Sequence, residues 1–120
     1  RGWKHAVLTN DNPKAKAWAK QIALQASPLV TKMALVGPVQ VYLDFQLPRP
    51  KSHMGADGTR RQSAAEYHTT RPDIDKLARC ALDALIGVAY QDDGQVISLK
   101  VTKEWTGGWR AAGVWISVKA

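Results

Sequence analysis

The sequence predicts an α+β domain: a small mixed β-sheet with two helices packed on one face. Three observations predict it. Two segments repeat apolar residues at helical spacing, three alternate apolar and polar residues at strand spacing, and the order along the chain is helix, strand, helix, strand, strand. At 120 residues the chain has the size of one domain, so residues 1–120 are read as a single unit with one core. Hydrophobic residues at 45% and charged residues at 22% are ordinary for a globular protein and exclude wholesale disorder.

The first helix is expected over residues 11–25. Asn10 or Asp11 caps it, Pro13 suits its first turn, Trp18, Ile22 and Leu24 form a buried stripe, and Ser27-Pro28 stops it. After a turn at Gly37-Pro38, Val39, Val41, Leu43, Phe45 and Leu47 alternate with polar residues as a half-buried strand does, and Pro48 and Pro50 end it. Residues 49–70 form a long polar loop carrying Arg49, Lys51, Arg60 and Arg61. A loop of that length inside a small domain is usually functional or disordered, and this one has the charge to meet phosphates. The alternative is a mobile loop that binds nothing.

The second helix starts at Pro72 or Asp73. Ile74, Leu77, Ala78, Ala81, Leu82, Leu85 and Ile86 make its apolar stripe, and Gly87 ends it. Asp75, Arg79 and Asp83 fall four residues apart, so they share a face beside that stripe. A turn at 91–94 leads to a strand in which Ile97, Leu99 and Val101 alternate with Ser98, Lys100 and Thr102. Gly107-Gly108 is a hairpin signal, and Val114, Ile116 and Val118 complete the last strand.

Charge narrows the partner. Seventeen Lys and Arg against ten Asp and Glu give +7, a surplus that favours a polyanion, nucleic acid above all, over solubility alone. No apolar run approaches the roughly 20 residues of a membrane span, and the first residues do not resemble a signal peptide. A single cysteine, Cys80, excludes an internal disulfide and a multi-cysteine zinc site. It is read as a small buried residue of the helix. The expected setting is the cytoplasm of a bacterial or phage-infected cell, with no membrane partner.

Within this basic chain the acids are grouped. Asp73-Ile74-Asp75 opens the second helix and Asp92-Asp93 lies on the turn before the next strand. If helix, turn and strand fold back on one another, three or four carboxylates meet, and their mutual repulsion calls for a cation. Magnesium, which takes oxygen ligands, waters and phosphates, suits such a group and serves phosphodiester hydrolysis. Each pair also has an ordinary structural reading, since an Asp stabilises a helix N-terminus and Asp-Asp-Gly is common turn chemistry.

The wider pattern is more specific. His68-Thr69-Thr70-Arg71-Pro72-Asp73-Ile74-Asp75-Lys76-Leu77-Ala78-Arg79, then Leu82-Asp83-Ala84-Leu85-Ile86-Gly87, then Gln91-Asp92-Asp93-Gly94-Gln95-Val96, and later Lys103-Glu104-Trp105, resembles the RusA family of Holliday-junction resolvases. The resemblance is close over residues 49–105. It implies a homodimeric endonuclease that uses magnesium or manganese to resolve four-way DNA junctions by paired symmetric nicks. It also implies that Asp73, Asp75 and Asp93 hold the metal with Asp92 beside them, and that Arg79 stands at the scissile phosphate where the family has lysine. Lys76, Arg71, Arg60, Arg61 and Lys51 are the expected DNA contacts. Three departures stand out: Lys76 replaces the family's asparagine, Arg79 its lysine, and the family's opening strand is expected to be lacking.

A second reading is a binder of structured nucleic acid that has lost cleavage, and a third a nuclease acting on flaps or forks. His5, His53 and His68 are too scattered for zinc, and Ser63 and Ser98 lack a base partner. Trp105, Trp109 and Trp115 are read as packing residues more readily than as stacking platforms for unpaired bases.

Overall fold

A computed structural model describes residues 34–106 and 112–120 in full and the backbone of 2–8. Four strands form one sheet in the order β1-β4-β2-β3, comprising β1 (Gly2–Leu8), β2 (Val39–Leu47), β3 (Val96–Trp105) and β4 (Gly113–Lys119). β4 pairs antiparallel with both β1 and β2, whereas β2 and β3 run parallel. The sheet is therefore mixed, as expected. A parallel pair needs a long crossover, and the basic loop and helix α1 (Ile74–Leu85) supply it.

β2 alternates as its sequence demands. Val39, Val41, Leu43, Phe45 and Leu47 are buried on the face toward α1, joined by Val114, Ile116 and Val118 of β4. Leu77, Ala81, Leu82 and Leu85 of α1 complete this core with Ala89 and Tyr90. The helix stops at Leu85. Gly87 then takes a φ of 78°, which only glycine adopts readily, and its amide donates to Tyr90 O. The buried Tyr90 hydroxyl donates to Leu82 O at 2.7 Å, satisfying a carbonyl of the last helical turn. Burial pushes the Tyr90 phenol well above its ordinary pKa.

Several expectations need correction. α1 is the one α-helix among the described residues. The helix expected over 11–25, with Trp18, Ile22 and Leu24, lies outside them, as does Trp109; the hairpin expected from Gly107-Gly108 is not formed, because β2 lies between β3 and β4 in the sheet. Ahead of that helix no element was expected, yet residues 2–8 form β1. Their sequence mixes charged and apolar residues without a clean period, so the strand owes its form to pairing with β4 rather than to local pattern. Ile74 and Ile86 are exposed, not part of the core stripe, because they lie at the two ends of α1. Cys80 is half-buried. β3 is also less buried than its alternation suggests, with Ile97 and Leu99 both exposed. It is an edge strand, and a register shift at Val39/Gln40 lets Ile97 slip out of the ladder. No helix among the described residues is long and apolar enough to cross a membrane.

Candidate active site

Helix α1 and strand β3 run in opposite directions, which decides where the acids go. Pro72, just before α1, touches Lys103 near the end of β3, while Arg79 in mid-helix reaches Asp93 just before β3 begins. Asp73 and Asp93 therefore lie toward opposite ends of one flank, with Asp75 and Arg79 on α1 between them. Asp75 and Arg79 line a cavity of about 330 Å³ between α1 and β3, whose floor is Ile74, Ala78, Leu82, Leu99 and Val101.

Arg79 organises the end near β3. Its Nη1 donates to Asp93 Oδ2 at 2.7 Å and to Asp83 Oδ1 at 3.1 Å. The hydrogen bond from Arg79 is the main reason the Asp93 carboxyl is held below its ordinary pKa. The arginine in turn is held above its ordinary value by Asp93 and then Asp83. Asp83 was grouped with Asp75 and Arg79 by its spacing but not counted among the site residues. Its place is as the second anchor of the guanidinium.

Asp93 is positioned by a turn built on side chains. Residues Asp93–Gln95 form a short 3-10 turn in which the Asp92 side chain accepts from Gly94 N. The Gln95 amide is used at both ends. Its Oε1 accepts from Gln91 N and Asp92 N at 2.9 and 3.0 Å, and its Nε2 donates to Leu35 O and Gly37 O at 2.9 and 2.8 Å. Gln95 thus ties the acidic turn to the segment leading into β2. In the sequence Gln95 belongs to the run Gln91-Asp92-Asp93-Gly94-Gln95-Val96, with no role expected of it. The signal was there: an amide, unlike a carboxylate, can bridge two amides and two carbonyls at once.

At the other end Asp73 occupies the N-cap position of α1, but its side chain makes no capping hydrogen bond. Lys103 Nζ donates to Thr70 O at 2.8 Å and to Pro72 O at 3.0 Å. Beside it His68 stacks on Trp105 with ring centroids 4.0 Å apart, and His53 meets the same indole edge-on. Arg49 lies over that ring and donates to Ala65 O. Burial is the main cause lowering the His68 pKa. So Trp105 is a packing residue, whereas Trp115 is exposed on the sheet.

The remaining expected contacts are scattered over the surface. Lys51, Arg60, Arg61, Arg71 and Lys76 are all exposed. Arg61 spends its Nε on Met54 O, and the loop tip is closed by Asp57, which accepts from the amide and hydroxyl of Thr59. The basic loop is therefore a folded hairpin-like arm presenting Lys51 and Arg60.

Among the described residues no three His, Cys, Asp or Glu side chains stand close enough to hold a metal ion together. The structure brings Asp92 to Asp93, and Arg79 to Asp93 and Asp83. It does not gather Asp73, Asp75, Asp92 and Asp93 into one cage. The donor chemistry nevertheless fits a hard cation. Every candidate ligand is a carboxylate, Asp73 does not spend its oxygens on the helix cap, and magnesium is commonly held by one or two carboxylates completed by water and phosphate.

Carboxylates set on a helix and a turn in a chain of net charge +7 suit a polyanionic partner. Comparison with known proteins makes that specific. The family model described as Endodeoxyribonuclease RusA matches residues 1–119, and the chain belongs to that family. It is also similar to the "Uncharacterized protein YqaN" of Bacillus subtilis (strain 168), with 34% identity over 101 residues, covering 81% of this chain and 70% of the relative.

Proposed function

We propose that the protein is a magnesium-dependent endonuclease of branched DNA that resolves four-way junctions by paired symmetric nicks as a homodimer. The observation that carries the reading is the flank of Asp75, Arg79 and Asp93 between α1 and β3, in a chain of this family. Bound there, a magnesium or manganese ion would neutralise the phosphate and lower the pKa of a water. Asp73, Asp75 and Asp93 are its proposed ligands, with Asp92 beside Asp93; to share one ion these carboxylates would have to draw closer than they stand in this structure. Arg79 cannot serve as a proton carrier, because a guanidinium stays charged at any working pH. Its part is electrostatic: it holds Asp93 ionised and presents positive charge to the scissile phosphate.

Lys51 and Arg60 on the loop arm, with Arg71 and Lys76 at the helix start, are the proposed contacts to the phosphate backbone. Twofold pairing of the chain would place one active site on each of two symmetric strands.

The Arg79–Asp93 contact also favours a second reading. With Asp93 already gripped, the protein could bind junctions and not cut them. The variant Asp93→Asn separates the two. A nuclease loses at least about 100-fold in cleavage while keeping its junction affinity, since one metal ligand is gone. An unchanged cleavage rate removes Asp93 from the mechanism, and a protein that never cuts supports the binder.

A further inference from the structure

We infer that Lys103 is a positioning residue for Asp73, an inference that rests on the nuclease reading above. The geometry is a two-point clamp. The ammonium donates to the carbonyls of Thr70 and Pro72, on either side of Arg71. The Pro72 carbonyl belongs to the peptide plane that contains the Asp73 amide, so holding that oxygen fixes the direction in which Asp73 leaves the loop.

Three features make the clamp necessary. Asp73 starts α1, and Leu77 N donates to its carbonyl, but its carboxylate makes no capping bond that would set the helix start from within. The segment before it is exposed at Thr69, Thr70 and Arg71, so apolar packing does not hold it. And β3 fastens the segment twice: Trp105 packs on His68, while Lys103, two residues earlier and hence on the same face of the strand, takes the carbonyls that follow. Phe45 of β2 sits beside Lys103 in register, so the lysine projects from a paired strand. As Gln95 fixes Asp93, Lys103 fixes Asp73.

The alternative role for a half-buried lysine in such a protein is a direct phosphate contact, and the two differ in what they disturb. The test uses the full chain with Lys103→Met and Lys103→Arg. Measured are cleavage of a labelled four-way junction across a magnesium titration, junction binding in EDTA at several salt concentrations, and hydrogen exchange at the Leu77 amide. A positioning role predicts that Lys103→Met binds the junction within about twofold and with an unchanged salt slope, yet cleaves at least about 10-fold more slowly and needs more magnesium. Leu77 exchange should quicken at least about fivefold, and Lys103→Arg, which can bridge the same carbonyls, should restore most of each loss.

Cleavage and exchange both unaltered in Lys103→Met would overturn the inference. So would a fall in junction affinity matching the fall in cleavage, with the salt slope reduced by about one, because that is the signature of a phosphate contact. Should Lys103→Met fail to fold, Lys103→Gln, which keeps one donor, is judged by the same criteria. If the unsubstituted protein cleaves nothing, the nuclease reading falls, while the Leu77 exchange still decides whether Lys103 clamps the start of α1.

Discussion

Replacing Gln95 by leucine keeps the side chain's bulk and removes its four hydrogen bonds, to Gln91 N, Asp92 N, Leu35 O and Gly37 O. A net hydrogen bond is worth about 0.5–1.5 kcal/mol. Only the bond to Leu35 is half-buried, and water replaces much of what the exposed three lose, so the expected cost is about 2–3 kcal/mol rather than the full total. For a domain of this size that lowers the melting temperature by roughly 8–12 °C. The turn also loses its tie to the segment before β2, so Asp93 is no longer held opposite Arg79. Circular-dichroism melting gives the first quantity. Junction cleavage at a temperature where the variant remains folded gives the second, and should fall at least about tenfold. A melting temperature within about 2 °C of the unsubstituted protein, with normal cleavage, would refute the idea that this amide organises the acidic turn.

Three further outcomes follow from the same geometry. Tyr90→Phe removes the hydroxyl that satisfies Leu82 O at the buried end of α1, and denaturant titration should show a loss of about 1–2 kcal/mol with no change in cleavage at 25 °C. His68 is buried with its pKa lowered, so the unfolded chain binds the extra proton more readily. Stability should therefore be full above the unfolded histidine value of about 6.5 and decline as the pH falls below it, a slope that His68→Phe should flatten in melting experiments between pH 7.5 and 5. Arg60→Ala and Lys51→Ala should each weaken junction binding and reduce the slope of log affinity against log salt by about one, measured by fluorescence anisotropy, while leaving the magnesium requirement as it was.

What could be read from the sequence depended on how local its cause was. The β2 alternation and the stripe from Leu77 to Leu85 announce themselves because burial imposes a period, and both appear in the structure as read. Ile74 and Ile86 fit the same period but lie at the helix ends, where period does not measure cover. β3 looked half-buried from Ile97, Leu99 and Val101, but strand order sets exposure and strand order is not periodic. β1 has no pattern of its own and exists through its pairing with β4. At the site, the residue types were legible and their distances were not. The spacing of Asp75, Arg79 and Asp83 gave their shared face, yet only the antiparallel run of α1 and β3 shows Asp73 at one end and Asp93 at the other. Gln95 and Lys103 were visible only as letters in a pattern, because their partners are backbone carbonyls and amides that sequence does not name.

The most direct test of the account is to incubate the purified protein with a labelled four-way DNA junction, with linear duplex as control, in magnesium and in EDTA, alongside Asp75→Asn. The account predicts paired nicks in the junction alone, abolished by EDTA and reduced at least about 100-fold by the substitution. Cleavage that persists in EDTA, or at an unchanged rate in Asp75→Asn, would contradict the metal-dependent mechanism assigned to the flank between α1 and β3.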